Sequence, residues 1–137
     1  MAVDPGRVRV GLAVSDETRT ISQPHLTLIR SGDRALLDAI ARVVREQQVV
    51  GVVVGLPLRM SGERGPEAAA AAELGRMIAS ATGLGVGFCD ERLTTKQAEK
   101  EMLGHGESRR RRREAGDRVA AALLLQGVLG GGPVLAW

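Results

Sequence analysis

Short apolar segments alternate with polar and glycine-rich stretches along the chain of 137 residues. Residues 3–4 and 8–14 are two such segments separated by a tight turn, which predicts an antiparallel hairpin. Residues 26–30 are predicted to supply a third strand. Residues 49–54 are apolar throughout, as in a strand buried on both faces, so we expect a central parallel strand there. Residues 86–89 predict the last strand.

Helical signals occupy the segments between these strands. Asp33 is a candidate N-cap for the first helix, and Pro66 suits the first turn of an alanine-rich second helix. Thr94 and Gln97 have the capping-box spacing that starts a third helix, and a last helix is predicted from about residue 116 to 128. The first helix presents one apolar face, formed by Leu36, Leu37, Ile40, Val43 and Val44.

The resulting order, β-β-β-α-β-α-β-α-α, predicts an α/β fold with a mixed five-stranded sheet. Three antiparallel strands come first, and helix–strand alternation then adds parallel strands that the helices cover. We expect one domain over residues 1–129, followed by a flexible C-terminal tail over residues 130–137 that begins with three glycines. Residues 104–113 are polar and are predicted to be a flexible segment.

Composition excludes several classes of protein. No apolar run approaches the roughly 20 residues that a membrane-spanning helix needs, and the N-terminus lacks the pattern of a secretory signal. The single cysteine, Cys89, cannot form an intramolecular disulfide, and no Cys/His spacing suggests zinc. We therefore expect a cytoplasmic protein without a membrane partner.

The positive charge of the chain is local. The net charge of +3 falls to −2 without one run of five arginines, which are Arg109, Arg110, Arg111, Arg112 and Arg113. Such a run predicts contact with a polyanion such as nucleic acid, the alternative being a solvated loop. Phe88 and Trp137 are the only aromatic residues, so base stacking on several aromatic side chains is excluded. Binding would have to use backbone charge and shape.

Acidic residues stand where predicted strands end. Asp4 ends the first strand, Asp90 and Glu91 follow the last strand, and Asp117 lies at the start of the last helix. Carboxyl ends of parallel strands meet at one edge of a sheet, so these side chains are candidates for one site. Clustered carboxylates repel one another, and hard oxygen ligands favour Mg²⁺ or Mn²⁺. Two such ions can clamp a phosphodiester.

Each carboxylate also has a simpler explanation. Asp4 precedes Pro and Gly, which are common in turns, and Asp117 suits the first turn of a helix. Either Asp90 or Glu91 could form an ion pair with Arg92. The metal site therefore depends on their joint placement and not on any one of them.

Four ordered stretches of the chain carry a resemblance to a known family. They are Asp4-Pro5-Gly6 with RVGLA at 9–13 and SD at 15–16, GLPL at 55–58 with Gly62 and Gly65-Pro66, DERLTT at 90–95, and Asp117 followed by AA at 120–121 and LLQ at 124–126. In this order they resemble the motifs of the YqgF/RuvX family, over residues 4–129.

Two features depart from the family pattern. Only three residues precede Asp4, so the first strand is shortened or the true start lies upstream, and Val8 stands where a Lys is usual.

The resemblance implies a ribonuclease H-like fold and a divalent-metal-dependent nuclease. Family members are described as processing nucleases for the 16S ribosomal RNA precursor or as Holliday junction resolvases. Carried over, Asp4, Glu91 and Asp117 become the catalytic residues that bind two Mg²⁺ or Mn²⁺ ions. Asp90 is the alternative ligand, because strand alternation places it and Glu91 on opposite faces.

The leading hypothesis is endonucleolytic hydrolysis by metal-activated water, leaving a 5′-phosphate and a 3′-hydroxyl. Arg9, Arg92 and the arginine run would bind phosphates, while His105 is a weaker candidate for proton transfer. The alternatives are a non-catalytic RNA- or ribosome-binding module and, less favoured, an ATP-binding domain like those of sugar kinases and actin, which need two domains to enclose ATP. The sequence leaves precursor RNA and branched DNA open as substrates. Symmetric junction cleavage would favour a homodimer.

Overall fold

The computed structural model describes residues 1–93 and 109–137, and for residues 93 and 109–114 it describes the backbone alone. The strands are β1 (Ala2–Pro5), β2 (Arg9–Ser15), β3 (Ser22–Ile29), β4 (Val52–Leu56) and β5 (Val86–Asp90). The helices are α1 (Asp33–Glu46), α2 (Pro66–Thr82) and α3 (Arg109–Leu129). A short 3-10 turn, Glu91–Leu93, follows β5 directly.

The five strands form one mixed sheet in the order β3-β2-β1-β4-β5. β1 and β2 pair antiparallel with Asp4 opposite Gly11, and β2 pairs antiparallel with β3. β4 pairs parallel with β1, and β5 pairs parallel with β4. The predicted α/β architecture, with three antiparallel strands and then parallel ones, is therefore confirmed, and β4 is the expected central parallel strand.

Helices cover both faces of the sheet. Val3 and Val54 point into a larger core with α1 and α2, where Leu36, Ile40 and Val43 of α1 are buried as predicted. The opposite face packs on α3 through a smaller core made almost wholly of short side chains, namely Ala2, Ala13, Ala121, Ala122 and Leu125. Because these side chains are short, the backbone of α3 lies close to the sheet.

The closest approach of α3 to the sheet is at Gly11. A Cβ atom on Gly11 would lie 1.9 Å from the carbonyl oxygen of Asp117, so no larger residue fits without moving the helix. Asp117 is thereby fixed over β2 near the position that faces Asp4. A glycine in the middle of a strand weakens the strand, and here it permits close backbone contact.

Several predicted boundaries were wrong. α3 begins at Arg109 and not near residue 116, because arginine is a good helix former and the run continues the helix. The segment predicted to be flexible up to residue 113 is therefore helical from Arg109 onward. β4 begins at Val52, since the Val49 N–H bonds to the Val44 carbonyl after α1 and Val50 is 71% exposed.

β3 and α1 also differ from expectation. β3 begins at Ser22 because its pairing with β2 extends to Ser15 opposite Ser22. The Ser22 N–H also donates to Gln126 Oε1 at 3.0 Å, and its hydroxyl donates to the Ala122 carbonyl at 2.8 Å. Asp33 is the first residue of α1, and the N-cap position is occupied by Gly32. Pro66 begins α2 as predicted.

Residues 130–137, the predicted flexible tail, make specific contacts. Leu135 pairs with Phe88 at the outer edge of β5 through two backbone hydrogen bonds of 3.0 and 2.6 Å. The Arg64 guanidinium donates to the Ala136 carbonyl at 3.0 Å and lies 4.8 Å from the centre of the Trp137 ring. The tail therefore covers part of an edge strand that would otherwise expose unpaired backbone groups.

The third helix, predicted to start at Thr94 and Gln97, lies outside the described residues, as does His105. Within residues 1–93 and 109–137, no helix has the length and apolar character needed to cross a membrane.

Gly11→Ala is expected to lower the free energy of unfolding by about 1–3 kcal/mol or more, because the added methyl group overlaps the α3 backbone. Gly127→Ala is the matched control within α3, where a Cβ meets no atom within 4 Å. It should stabilise the protein by about 0.5–1 kcal/mol through helix propensity. Urea unfolding followed by circular dichroism measures both, and equal effects would contradict the proposed contact.

Candidate functional site

The site begins with Asp4, near the end of β1. Ala2, two residues earlier, packs on α3, so strand alternation directs the Asp4 side chain to the same α3 face of the sheet. Its neighbour Pro5 points to the opposite face. Asp4 is partly buried at the edge where the parallel strands end.

Glu91 reaches the same face from the turn after β5. A Cβ on Gly55 would lie 2.7 Å from Glu91 Oε1 and 2.9 Å from Leu124 of α3, so the glutamate passes over β4 through space that only glycine leaves open. The carboxyl groups of Asp4 and Glu91 share a hydrogen bond. Two residues far apart in the sequence are thus in direct contact.

This contact changes the protonation of Asp4. Burial raises the pKa of Asp4 to about 9, helped by the hydrogen bond to Glu91 and by the negative charges of Glu91 and Asp117. Two carboxylates in contact cannot both be ionised without a compensating cation. In the metal-free protein, Asp4 therefore keeps its proton at neutral pH.

Asp117 lies near these two residues but is held by a different partner. Arg9 Nε donates to Asp117 Oδ2 at 2.7 Å, and the two side chains are 28% and 26% exposed. Arg9 lies on the α3 face of β2, two residues before Gly11. Arg9 was predicted to contact nucleic acid, and in the structure it neutralises the third carboxylate.

Asp90 faces away from this group. Its carboxylate accepts hydrogen bonds from the Arg92 guanidinium at 2.7 to 3.1 Å, and the hydrogen bonding from Arg92 lowers the pKa of Asp90. Arg92 also donates to the carbonyl oxygens of Arg59 and Met60 at 3.4 and 3.3 Å. Of the two adjacent acids, Glu91 lies beside Asp4, and Asp90 anchors an arginine that ties β5 to the loop after β4.

The oxygen donors suit a hard divalent cation, although they are not arranged as a finished metal site. Among the described residues, no three His, Cys, Asp or Glu side chains have the spacing of a preformed metal centre. Asp4 and Glu91 already meet, while Asp117 is turned toward Arg9. A divalent cation could replace the proton on Asp4 and remove the repulsion that raises its pKa.

Cys89 adjoins the acidic group without chemistry of its own. Its side chain is buried, and its thiol contacts the Val54 carbonyl at 3.9 Å. Burial, followed by the charges of Glu91, Asp4 and Asp90, raises the pKa of Cys89 to about 12. A thiol that keeps its proton is a poor nucleophile, so Cys89 is not a candidate for nucleophilic chemistry.

A cleft of about 540 Å³ lies at the opposite end of the parallel strands. It is lined by Met1, Val52 and Gly85 at the strand starts and by Asp16 of the β2–β3 turn. Asp16 accepts hydrogen bonds from the N–H groups of Thr20 and Ile21 at 2.8 and 3.0 Å, and the hydrogen bonds to Asp16, led by that from Thr18, lower its pKa to about 2. The Ser15-Asp16 motif thus shapes a turn remote from the carboxylates.

Sequence reasoning missed how the site is assembled. It did not identify Gly11 or Gly55 as the positions that let Asp117 and Glu91 approach, or Arg9 as the partner of Asp117. Glycines within two apolar strands were the available signal, since a glycine there often marks close approach of another group.

Comparison with known proteins gives a consistent result. The family model described as "RuvX: Holliday junction resolvase" matches residues 1–131. A protein of Anaeromyxobacter dehalogenans named "Putative pre-16S rRNA nuclease" is 43% identical over 129 residues, which is 94% of each chain. A protein of the same name from Cereibacter sphaeroides is 45% identical over 130 residues, covering 93% of this chain and 79% of its relative.

Two solved structures share the fold. The Thermus thermophilus RuvC structure superposes with a TM-score of 0.60 at 17% identity, covering 97% of both chains. The same protein in complex with a Holliday junction substrate gives a TM-score of 0.59 at 19% identity, covering 94% of this chain and 92% of the other. These similarities confirm the predicted ribonuclease H-like fold.

Asp4→Asn is expected to stabilise the metal-free protein increasingly as pH rises. Between the ordinary value of 3.8 and about 9, folded Asp4 holds a proton that the unfolded chain releases, so stability falls with rising pH. Asparagine mimics the protonated acid and does not titrate. The gain over wild type should grow by about 1 kcal/mol or less per pH unit.

Urea unfolding in EDTA from pH 5 to 8 measures this difference. Asp38→Asn, at an exposed position on α1, is the matched control and should show no comparable growth. A stability difference for Asp4→Asn that is flat across this range would contradict the shared proton.

Proposed function

The chain belongs to the RuvX family, and on that premise we propose that it is a divalent-metal-dependent endonuclease that hydrolyses phosphodiester bonds in structured nucleic acid. The observation that carries this proposal is the contact between Asp4 and Glu91, with Asp117 close enough to raise the pKa of Asp4 further. An acidic group of this kind is costly unless it serves a cation.

Asp4, Glu91 and Asp117 would hold the metal, which we propose is a pair of Mg²⁺ or Mn²⁺ ions. When bound, such ions lower the pKa of water and stabilise charge on the leaving oxygen. Asp4 must give up its proton for a cation to bind, and Glu91 is already positioned against it. Asp90 is not proposed as a ligand because Arg92 engages its carboxylate.

Arginines take different roles in this proposal. Arg9 holds the Asp117 side chain in place and compensates its negative charge. The Arg9 guanidinium becomes available to a phosphate when Asp117 turns toward a cation. Arg92 fixes the loop after β4 through the carbonyls of Arg59 and Met60, and 40% of its side chain remains exposed for a phosphate contact. The five arginines that begin α3 would supply positive charge for contact with the nucleic-acid backbone.

The precursor of 16S ribosomal RNA is the substrate we favour, because relatives that are 40–45% identical are named "Putative pre-16S rRNA nuclease". A Holliday junction is the second candidate, supported by the family description and by the structural neighbour solved with a junction. Junction resolution would require two copies of the chain, since two symmetric cuts are made.

Glu91→Gln is expected to reduce cleavage by about 10²-fold or more, because metal ligands contribute several kcal/mol to the transition state. Asp90→Asn is the matched control, an adjacent acid outside the site, and should retain most activity. Cleavage is measured with Mn²⁺ or Mg²⁺ on a precursor 16S RNA fragment and a synthetic junction side by side. EDTA should abolish cleavage by the wild type.

Three further results help to decide between a nuclease and a binding module of the same fold. Mn²⁺ should raise the melting temperature of the wild type and of Asp90→Asn, and should raise that of Glu91→Gln much less. Cleavage that persists at wild-type level in Glu91→Gln would defeat the catalytic assignment. Nucleic-acid binding without cleavage in any metal would favour the module.

Replacing Arg109, Arg110, Arg111, Arg112 and Arg113 by glutamine should weaken nucleic-acid binding and reduce its salt dependence. Glutamine retains helix propensity, so the change removes charge and preserves α3. The slope of log K against log salt should fall by about 2–4. The control replaces Arg34, Arg42 and Arg45, which are exposed on α1. For each charge removed, the control should change the slope much less than replacement of the five arginines of α3 does. Equal slopes per charge would contradict a localised contact.

A further inference from the structure

A second cavity, of about 310 Å³, lies across the Asp4-Pro5-Gly6 turn from the carboxylates. Asp4 points to the α3 face of the sheet, whereas Pro5 lines this cavity on the α2 side. The cavity and the carboxylates are therefore separated by the thickness of one strand end. A nucleic-acid strand crossing the turn would meet both.

The walls of the cavity are mostly apolar and its rim is charged. The apolar lining comes from Pro5, Pro57, Pro66, Ala70 and Ala71, and the charged lining from Arg7, Arg30 and Glu67. Apolar walls with a few polar groups at the mouth are typical of small-molecule sites, and this volume is at the lower end of their range. It suits a single nucleobase.

The two arginines differ in how firmly they are held. Arg30 Nη1 donates to the Gly6 carbonyl at 2.9 Å, and Arg30 Nη2 lies 3.4 Å from Asp33 Oδ1. Arg30 is thus fixed at the rim and braces the turn that follows Asp4. Arg7 is exposed and forms no ion pair with any residue in the described ranges. Its guanidinium is available to a phosphate.

We infer that this cavity binds one unpaired nucleotide next to the phosphodiester that is cut, with the base against the apolar walls and its phosphate on Arg7. The inference rests on the proposed function and specifies its substrate as a strand with an unstacked nucleotide beside the cut. Proteins that read single-stranded nucleic acid splay bases onto aromatic or guanidinium planes. Here both aromatic residues are elsewhere, Phe88 in the core and Trp137 beside Arg64. Proline, alanine and arginine surfaces take their place, and Glu67 offers an acceptor to an exocyclic amino group.

Ala70→Leu tests the cavity, because Ala70 lines it and is exposed on α2, so the larger side chain fills it without entering the core. Ala69→Leu is the matched control, an exposed neighbour that does not line the cavity. Arg7→Ala tests the phosphate contact, and Arg34→Ala on α1 controls for loss of one charge.

The probes are two fluorescein-labelled RNA hairpins, one blunt and one with a single-stranded extension, together with their DNA counterparts. Binding is measured by fluorescence anisotropy in EDTA, which prevents metal-dependent cleavage. Wild type should prefer the extended hairpin. Ala70→Leu and Arg7→Ala should each weaken binding to it by about five- to tenfold, the size of one base contact, and change binding to the blunt hairpin by less than about twofold. Both control variants should bind like wild type.

Three results would overturn the inference. They are equal wild-type affinity for the two hairpins, an Ala70→Leu variant with wild-type affinity, and equal losses in Ala70→Leu and Ala69→Leu. If Ala70→Leu keeps wild-type affinity while Arg7→Ala weakens binding, the site binds backbone charge without a base. Failure of wild type to cleave any substrate with Mn²⁺ would instead reject the proposed function, and the anisotropy result distinguishes the two failures.

Discussion

Negative charge concentrated at one edge of the sheet is the constraint around which this molecule is arranged. Asp4 and Glu91 are in contact, and Asp117 adds its charge from α3. Without a cation, the fold offsets the repulsion in two ways: a proton remains on Asp4, and Arg9 pairs with Asp117 at 2.7 Å. Both devices are reversible, because a proton can dissociate and a partly exposed ion pair can exchange partners. A divalent cation would compete with both, so metal binding in the proposed nuclease is coupled to release of one proton and to reorientation of one arginine.

Close packing on the α3 face makes this concentration of charge feasible. Alanines on the sheet and on α3 form a thin second core. Gly11 has no side chain, so the backbone of α3 can approach β2 closely at that position. Gly55 does the same for the Glu91 side chain. The α1 and α2 face, by contrast, holds the larger core, in which most of the large buried aliphatic side chains lie. One face therefore provides most of the hydrophobic stabilisation, while the other tolerates the strained electrostatics of a functional site.

The strand directions in the sheet and most elements could be predicted from the sequence, because hydrophobic periodicity and turn residues report directly on local structure. Pro66 at the start of α2 and the buried face of α1 are examples. The boundaries of the elements were less predictable. The charge of the arginine run suggested a loop, yet arginine favours helix and the run is the start of α3. The hydrophobicity of Val49-Val50 suggested a strand, yet both residues precede the pairing of β4 with β1. The positions of the acids at strand ends predicted a shared site. Their individual partners did not follow, because the pairing of Arg9 with Asp117 and of Asp90 with Arg92 depends on the register between elements far apart in the sequence.

The turn after β1 links these observations to substrate recognition. Alternation along a single strand sends Asp4 to the acidic face and Pro5 to the apolar cavity, so one short segment separates the proposed chemistry from the proposed nucleotide site. Arg30, just after the third strand, braces this segment by donating to the Gly6 carbonyl, which couples the end of that strand to the turn that follows Asp4. A nuclease with few aromatic residues cannot select its substrate by stacking on several aromatic side chains. Placing a small apolar cavity one residue from a proposed metal ligand would instead let the position of an unpaired nucleotide determine which phosphodiester reaches the carboxylates.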